Sequence, residues 1–194
     1  MNFLAHIYLS GDSDLIKIGN FMADGIRGKQ FETYPLEIQK GILLHRFIDT
    51  YTDAHPVFRK STKRLHEKYH HYAGVITDVF YDHFLAKNWS NYSKENLTDF
   101  TNRFYQSLHD NYEFLSERTR GIMPYMIERN WLMSYQTVEG ISKILTQMDG
   151  RTKNESKMRF SSNELSEYYS DFESEFIAFF EDIRIEAHQK LILL

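Results

Sequence analysis

In two segments of this sequence, histidine or aspartate residues stand four apart. In the first, Ile38, Ile42, His45, Asp49 and Thr52 follow one helical line that begins apolar and turns polar. In the second, Val75, Asp78, Asp82, Leu85 and Trp89 share a line, with His83 beside it. Side chains four apart project from one helix face, so His45 with Asp49, and Asp78 with Asp82, can each hold one ion or two neighbouring ions together. A buried carboxylate is costly unless it is paired or metal-bound, and three of them converging with imidazoles inside a bundle point to a divalent cation. Oxygen-rich ligands with some imidazole suit manganese, iron or magnesium better than a closed structural zinc site, and manganese is the first expectation. Taken singly, each residue reads as readily as a hydrogen-bonded core group, with Asp49 or Asp53 pairing with Arg46 or capping a helix end. The cluster favours the metal.

A third segment, Gly19-Asn20-Phe21-Met22-Ala23-Asp24-Gly25-Ile26-Arg27-Gly28, sets an Asp and an Arg among small residues that permit close approach. Asp24 is a candidate ligand, and Arg27 a candidate bidentate clamp on a phosphate. The alternative is a surface ion pair between the two.

These residues need rigid elements beneath them, and the apolar spacing predicts an all-α fold, a multi-helix bundle with no strand. A first full helix is expected from Asp14, ending near Gly25 or Gly28. Thr33-Tyr34-Pro35 reads as a cap followed by proline at the first helical position, opening a helix to about Asp53. Pro56 opens another, reaching Tyr72, and Gly74 separates it from the helix carrying Asp78 and His83. Ser93 is the expected cap of a helix whose Leu97, Phe100, Phe104 and Leu108 share a face. Shorter helices are expected around Met126 to Tyr135 and Val138 to Met148, then a polar loop from Gly150 to Asn154. Ser161 with Glu164 fits a capping box before the stripe Tyr168, Phe172, Phe176, Phe179, Ile183.

At 194 residues one domain, 1–194, is the expectation, since no linker or repeat divides the chain. No stretch approaches the roughly 20 apolar residues of a membrane span, and the N-terminus lacks a basic signal region, so a cytoplasmic protein is expected. The absence of cysteine excludes thiolate metal sites and a Cys nucleophile. A net charge of −4 argues against a broad nucleic-acid-binding face.

Asn2-Phe3-Leu4-Ala5-His6, Gly19-Asn20 with Ala23-Asp24 and Arg27-Gly28, Gly41-Ile42 with His45-Arg46 and Ile48-Asp49, Thr52-Asp53, and Asp78 with Asp82-His83-Phe84-Leu85 and Trp89 together resemble the acyl carrier protein phosphodiesterases. Trp131 falls where that family also carries a tryptophan. The resemblance is detailed to about Ser90 and thins afterwards. It implies a divergent relative of the metal-dependent His-Asp phosphohydrolases, with a manganese-dependent activity that releases 4′-phosphopantetheine from holo-acyl carrier protein. By position, the implied functional residues are His6, Asp24, His45, Asp49, Asp78, Asp82 and His83. The order Asp82-His83 reverses the adjacent His-Asp pair of typical superfamily members, so the resemblance does not assign the ligands one by one.

On that reading some of His6, Asp24, His45, Asp78 and Asp82 hold the ion. Arg27, or less readily Arg46, stabilises phosphoryl charge, and His83 or Asp49 orients the nucleophile or protonates the leaving serine. The acidic carrier is expected to dock on Arg59-Lys60, Lys63-Arg64 and Lys68, interleaved with His66, His70 and His71, although such cations are often only solvated. Tyr125, Trp131 and Tyr135 could line a pantetheine channel, but aromatic residues so spaced are more often core. The rivals are a phosphohydrolase of the same scaffold acting on a nucleotide or other phosphodiester, and a non-catalytic helical binding module.

Overall fold

Residues 1–194 are described by a computed structural model, which contains eleven α-helices joined by short 3₁₀ turns and no strand. The first half holds α1 (Phe3–Tyr8), α2 (Asp14–Met22), α3 (Leu36–Ala54), α4 (Pro56–Tyr69), α5 (Ala73–Lys87) and α6 (Leu97–Asp110). The second holds α7 (Glu117–Glu128), α8 (Trp131–Ser134), α9 (Val138–Arg151), α10 (Ser162–Glu167) and α11 (Tyr169–Leu193). The expected all-α bundle is what forms, around one contiguous cluster of 47 buried apolar residues.

Two glycines let α2 and α3 approach closely. A Cβ at Gly19 on α2 would collide with the Ile38 carbonyl, and one at Gly41 on α3 with the Ile16 carbonyl. With neither Cβ present the two backbones touch, which carries Asn20 beneath His45.

The helix α5 is buried on every side from Ile76 to Ala86 except at Asp78, as a helix at the centre of a core must be. Against it packs α11, whose Phe172, Phe176, Phe179, Phe180 and Ile183 are fully buried, so the expected aromatic stripe is a packing element. Burying each such side chain contributes about 1.5–3 kcal/mol.

Several boundaries fall elsewhere than expected. The full turns of α2 stop at Met22, and a 3₁₀ turn, Ala23–Gly25, presents Asp24. Pro35 is itself the residue before α3, not its first helical position. The break after α4 is made by His70, at φ 47°, while Gly74 lies inside α5. Asn96, whose side chain accepts from the Asp99 amide at 2.9 Å, caps α6, and Ser93 caps a turn just before it. The helix α7 extends well N-terminal of the segment expected there, and α9 runs through Gly150 to Arg151. No capping box forms at Ser161: its hydroxyl donates to the Met158 carbonyl, and Glu164 is buried against Lys68 and Tyr69.

Candidate metal centre and substrate cavity

Three elements remote in sequence bring their polar groups to one point. His6 comes from α1, Asp24 from the turn after α2, and His45 and Asp49 from successive turns of α3. The imidazoles of His6 and His45 stack with centroids 4.1 Å apart at 23°. His6 Nε2 lies 3.2 Å from Asp49 Oδ1, and His45 Nε2 lies 3.0 Å from Asp49 Oδ2 and 3.1 Å from Asp24 Oδ1. One ligand atom from each of His6, His45 and Asp49 falls within 4.8 Å of the others.

Asn20 orients both rings. Its Nδ2 donates to the His6 carbonyl at 3.0 Å and to Ser10 Oγ at 2.9 Å, which turns Oδ1 toward the histidines. That oxygen accepts from His6 Nδ1 at 2.8 Å and from His45 Nδ1 at 3.1 Å. An amide oxygen only accepts, so both rings carry a proton on Nδ1 and turn Nε2 to the carboxylates.

Burial pushes His6 down to about 4, against the pull of Asp49, so its Nε2 is an unprotonated acceptor at neutral pH. Around it stand further acceptors only: the Met1 carbonyl at 3.1 Å and the Asp49 carboxylate. Burial also opposes the charged form of His45, but its hydrogen bonds to Asp24 and Asp49 prevail and raise it to about 9. Those bonds hold Asp24 low, and they hold Asp49 well below the usual carboxylate range despite its burial. Converging acceptors that need a positive charge fit a divalent cation, with the His45 proton serving the same electrostatic end without one.

The remaining expected residues lie apart from this cluster. Asp78 borders the same cavity and accepts from the Met1 ammonium at 2.7 Å; burial raises its pKa against that pairing. Asp82 is fully buried outside the cavity, where it accepts from the amides of Asn2 and Ala5 at 3.3 Å and of Leu4 at 2.7 Å. Its oxygens therefore secure the start of α1, which carries His6, instead of facing a common ion with Asp78. His83 Nδ1 donates to the Tyr135 carbonyl and its Nε2 is hydrogen-bonded to the Tyr169 hydroxyl, at 2.8 Å each, and the ring faces the core. Arg27 is exposed and does not border the cavity, so it does not clamp a phosphate there. Arg46 holds the Asp24 loop in place by donating to the Ile26 and Gly28 carbonyls.

The cluster forms one end of a cavity of about 620 Å³. Phe3, Phe21, Trp131, Ile144 and Met148 give it apolar walls, and Arg118, Arg129, Lys143 and Arg151 border it on the side of α7 to α9. Tyr135 also lines it, whereas Tyr125 is exposed and apart. Two buried polar atoms on its wall, Thr52 Oγ1 and Trp131 Nε1, have no partner within the protein. The sequence reading passed over the four cations and the orienting role of Asn20. Its available signal was on α9, where Lys143, Gln147 and Arg151 repeat at helical spacing.

The family model described as acyl carrier protein phosphodiesterase matches residues 1–183. The chain belongs to that family. A relative named acyl carrier protein phosphodiesterase from Klebsiella pneumoniae is 32% identical over 198 residues, covering 98% of this chain and 99% of the relative. Relatives of the same name from Photorhabdus laumondii and Escherichia coli O6:H1 are 28% and 29% identical, covering 98% and 99% of this chain and 96% and 100% of their own lengths. No solved structure is a significant match. Of the segments that carry the resemblance, the N-terminal one supplies both His6 and the amides that Asp82 caps, the second supplies Asn20 and Asp24, and the third supplies His45 and Asp49.

Proposed function

We propose that this protein hydrolyses the phosphodiester linking 4′-phosphopantetheine to holo-acyl carrier protein, giving the apo-carrier and free 4′-phosphopantetheine, in a manganese-dependent reaction. The observation that carries the metal is the convergence of His6, His45 and Asp49 ligand atoms within 4.8 Å at one end of the cavity. Asp24, 3.1 Å from His45, completes a set of imidazole and carboxylate donors that suits manganese, with magnesium or iron(II) as substitutes. Such a donor set also supports kinship with the His-Asp phosphohydrolases.

A divalent cation bound there supplies a Lewis acid for a phosphoryl oxygen and makes hydroxide available from water near neutral pH. The protein's own groups do the rest. Asn20 keeps both Nε2 atoms turned inward, and Asp49, shared by the two rings, sets the negative charge that the cation balances. The apolar walls around Trp131 and Met148 exclude water from the arm. His83 has both nitrogens engaged and Arg27 lies outside the cavity, so neither enters this mechanism. Asp24 is more than half exposed, so solvent water reaches this end of the cluster and supplies the proton to the leaving serine.

No helix is long and apolar enough to cross a membrane, and this reading places the protein in the cytoplasm with its carrier. The test is to incubate it with holo-acyl carrier protein, with and without Mn²⁺, and follow the carrier's mass. Metal-dependent loss of the prosthetic group is expected. An unchanged carrier mass with folded, metal-loaded protein would reject this substrate.

A further inference from the structure

The expected docking face on α4 is largely neutralised from within. Arg64 donates through both terminal nitrogens to Glu175, at 2.8 and 2.9 Å, and Lys60 reaches the same carboxylate at 3.1 Å. Lys68 pairs with Glu164 at 2.5 Å. Of the five expected docking cations only Arg59 and Lys63 have no acidic partner, and Arg59 is turned to the Asp53 carbonyl. These bonds tie α4 to α10 and α11, and a partner's carboxylates would have to displace them.

Arg118, Arg129, Lys143 and Arg151 are the opposite case. All four are exposed, all border the cavity, and none forms an ion pair or a side-chain hydrogen bond within the protein. Lys143 and Arg151 stand two turns apart on α9, with Ile144 and Met148 beside them on the cavity wall. In a chain of net charge −4, four free cations bordering the cavity that also holds the His-Asp cluster make a local positive field.

We propose that this rim, Arg118, Arg129, Lys143 and Arg151, is the docking surface for a carboxylate-rich protein partner, and that α4 is not. The proposal rests on the hydrolase reading, which makes the partner the carrier protein. The spread of the cations over three segments, from α7 to the end of α9, matches an extended acidic surface better than one small anion, which a single cation pair would hold. Unpaired cations lose no internal partner on docking, so complementary charge acts in full on the approach and on the complex. A carrier seated there would lay its surface acids on the rim and pass its phosphodiester-linked arm between the apolar walls toward His6 and His45.

The test measures binding of fluorescently labelled apo-carrier, which has no arm, by anisotropy at low salt. Wild type should bind, the double variants K143E/R151E and R118E/R129E should each weaken binding by at least about tenfold, and K63E should change it less than about twofold. Unaltered melting temperatures will show that the variants are folded. Binding unaffected by both rim variants, or lost in K63E, would overturn the proposal, as would rim-dependent binding of single-stranded nucleic acid by a protein that ignores the carrier. Rim-dependent binding of apo-carrier without turnover of holo-carrier would uphold the docking surface while rejecting the hydrolase reading.

Discussion

The rings of His6 and His45 stack 4.1 Å apart although one belongs to α1 and the other to α3, and the Asn20 oxygen between them takes a hydrogen bond from each. Replacing Asn20 by Ala leaves two imidazole donors and the His6 carbonyl without this partner, and frees both rings to rotate. Retention of Mn²⁺ after dialysis should fall about 10–100-fold, with a stability loss of about 2–3 kcal/mol. Metal analysis and a thermal melt check the two effects together.

His45→Ala and Asp49→Asn should reduce carrier hydrolysis by at least about a hundredfold, because each removes a donor from the convergent set. Both side chains lie at the cavity surface of a long helix, so the far-ultraviolet circular dichroism should be that of wild type. A folded variant with full activity would remove that residue from the centre.

Metal binding should strengthen with pH. His45 is held charged up to about 9 by Asp24 and Asp49, and a cation must displace its proton. Affinity should therefore rise about tenfold per pH unit below that value, with proton release visible as a buffer dependence of the calorimetric enthalpy. Without metal the sign is reversed: a raised histidine pKa stabilises the fold fully below the unfolded value of 6.5 and loses that contribution as pH rises through about 9. Asp49→Asn should flatten the slope in that window.

Asp82→Ala should be a folding defect. It strips the acceptor from the amides of Asn2, Leu4 and Ala5 in a fully buried setting, at a cost of about 3 kcal/mol or more. Chemical denaturation measures it. Full metal loading of whatever protein remains folded would confirm that Asp82 is no ligand.

Arg64→Ala should likewise act on stability, by about 2–4 kcal/mol, since Glu175 would be left nearly buried with only Ser61 and the exposed Lys60. The salt dependence of carrier turnover should stay as in wild type.

How far the sequence reached depended on whether a relationship is local. Helical periodicity is a property of neighbouring residues, so the all-α fold, the α11 stripe and the His45–Asp49 pair were legible from spacing alone. Caps were less so: Asn96 and Ser93 are both good capping residues three apart, and which one begins the helix depends on where Leu97 meets the core. The pairs His45–Asp49 and Asp78–Asp82 look alike in sequence. Tertiary structure separates them, because α1 sets its amides against Asp82 and the Met1 ammonium against Asp78, filling lone pairs that spacing left free.

The cations divide in the same way. Glu164 and Glu175 neutralise Lys60, Arg64 and Lys68 from far along the chain, while no acid reaches Arg118, Arg129, Lys143 or Arg151. By itself the sequence determined the helices, their apolar faces and one bidentate His-Asp turn, since each follows from the geometry of a single helix. Only the tertiary structure decided which polar groups remain available for chemistry and docking, because that depends on partners that long-range packing brings or withholds.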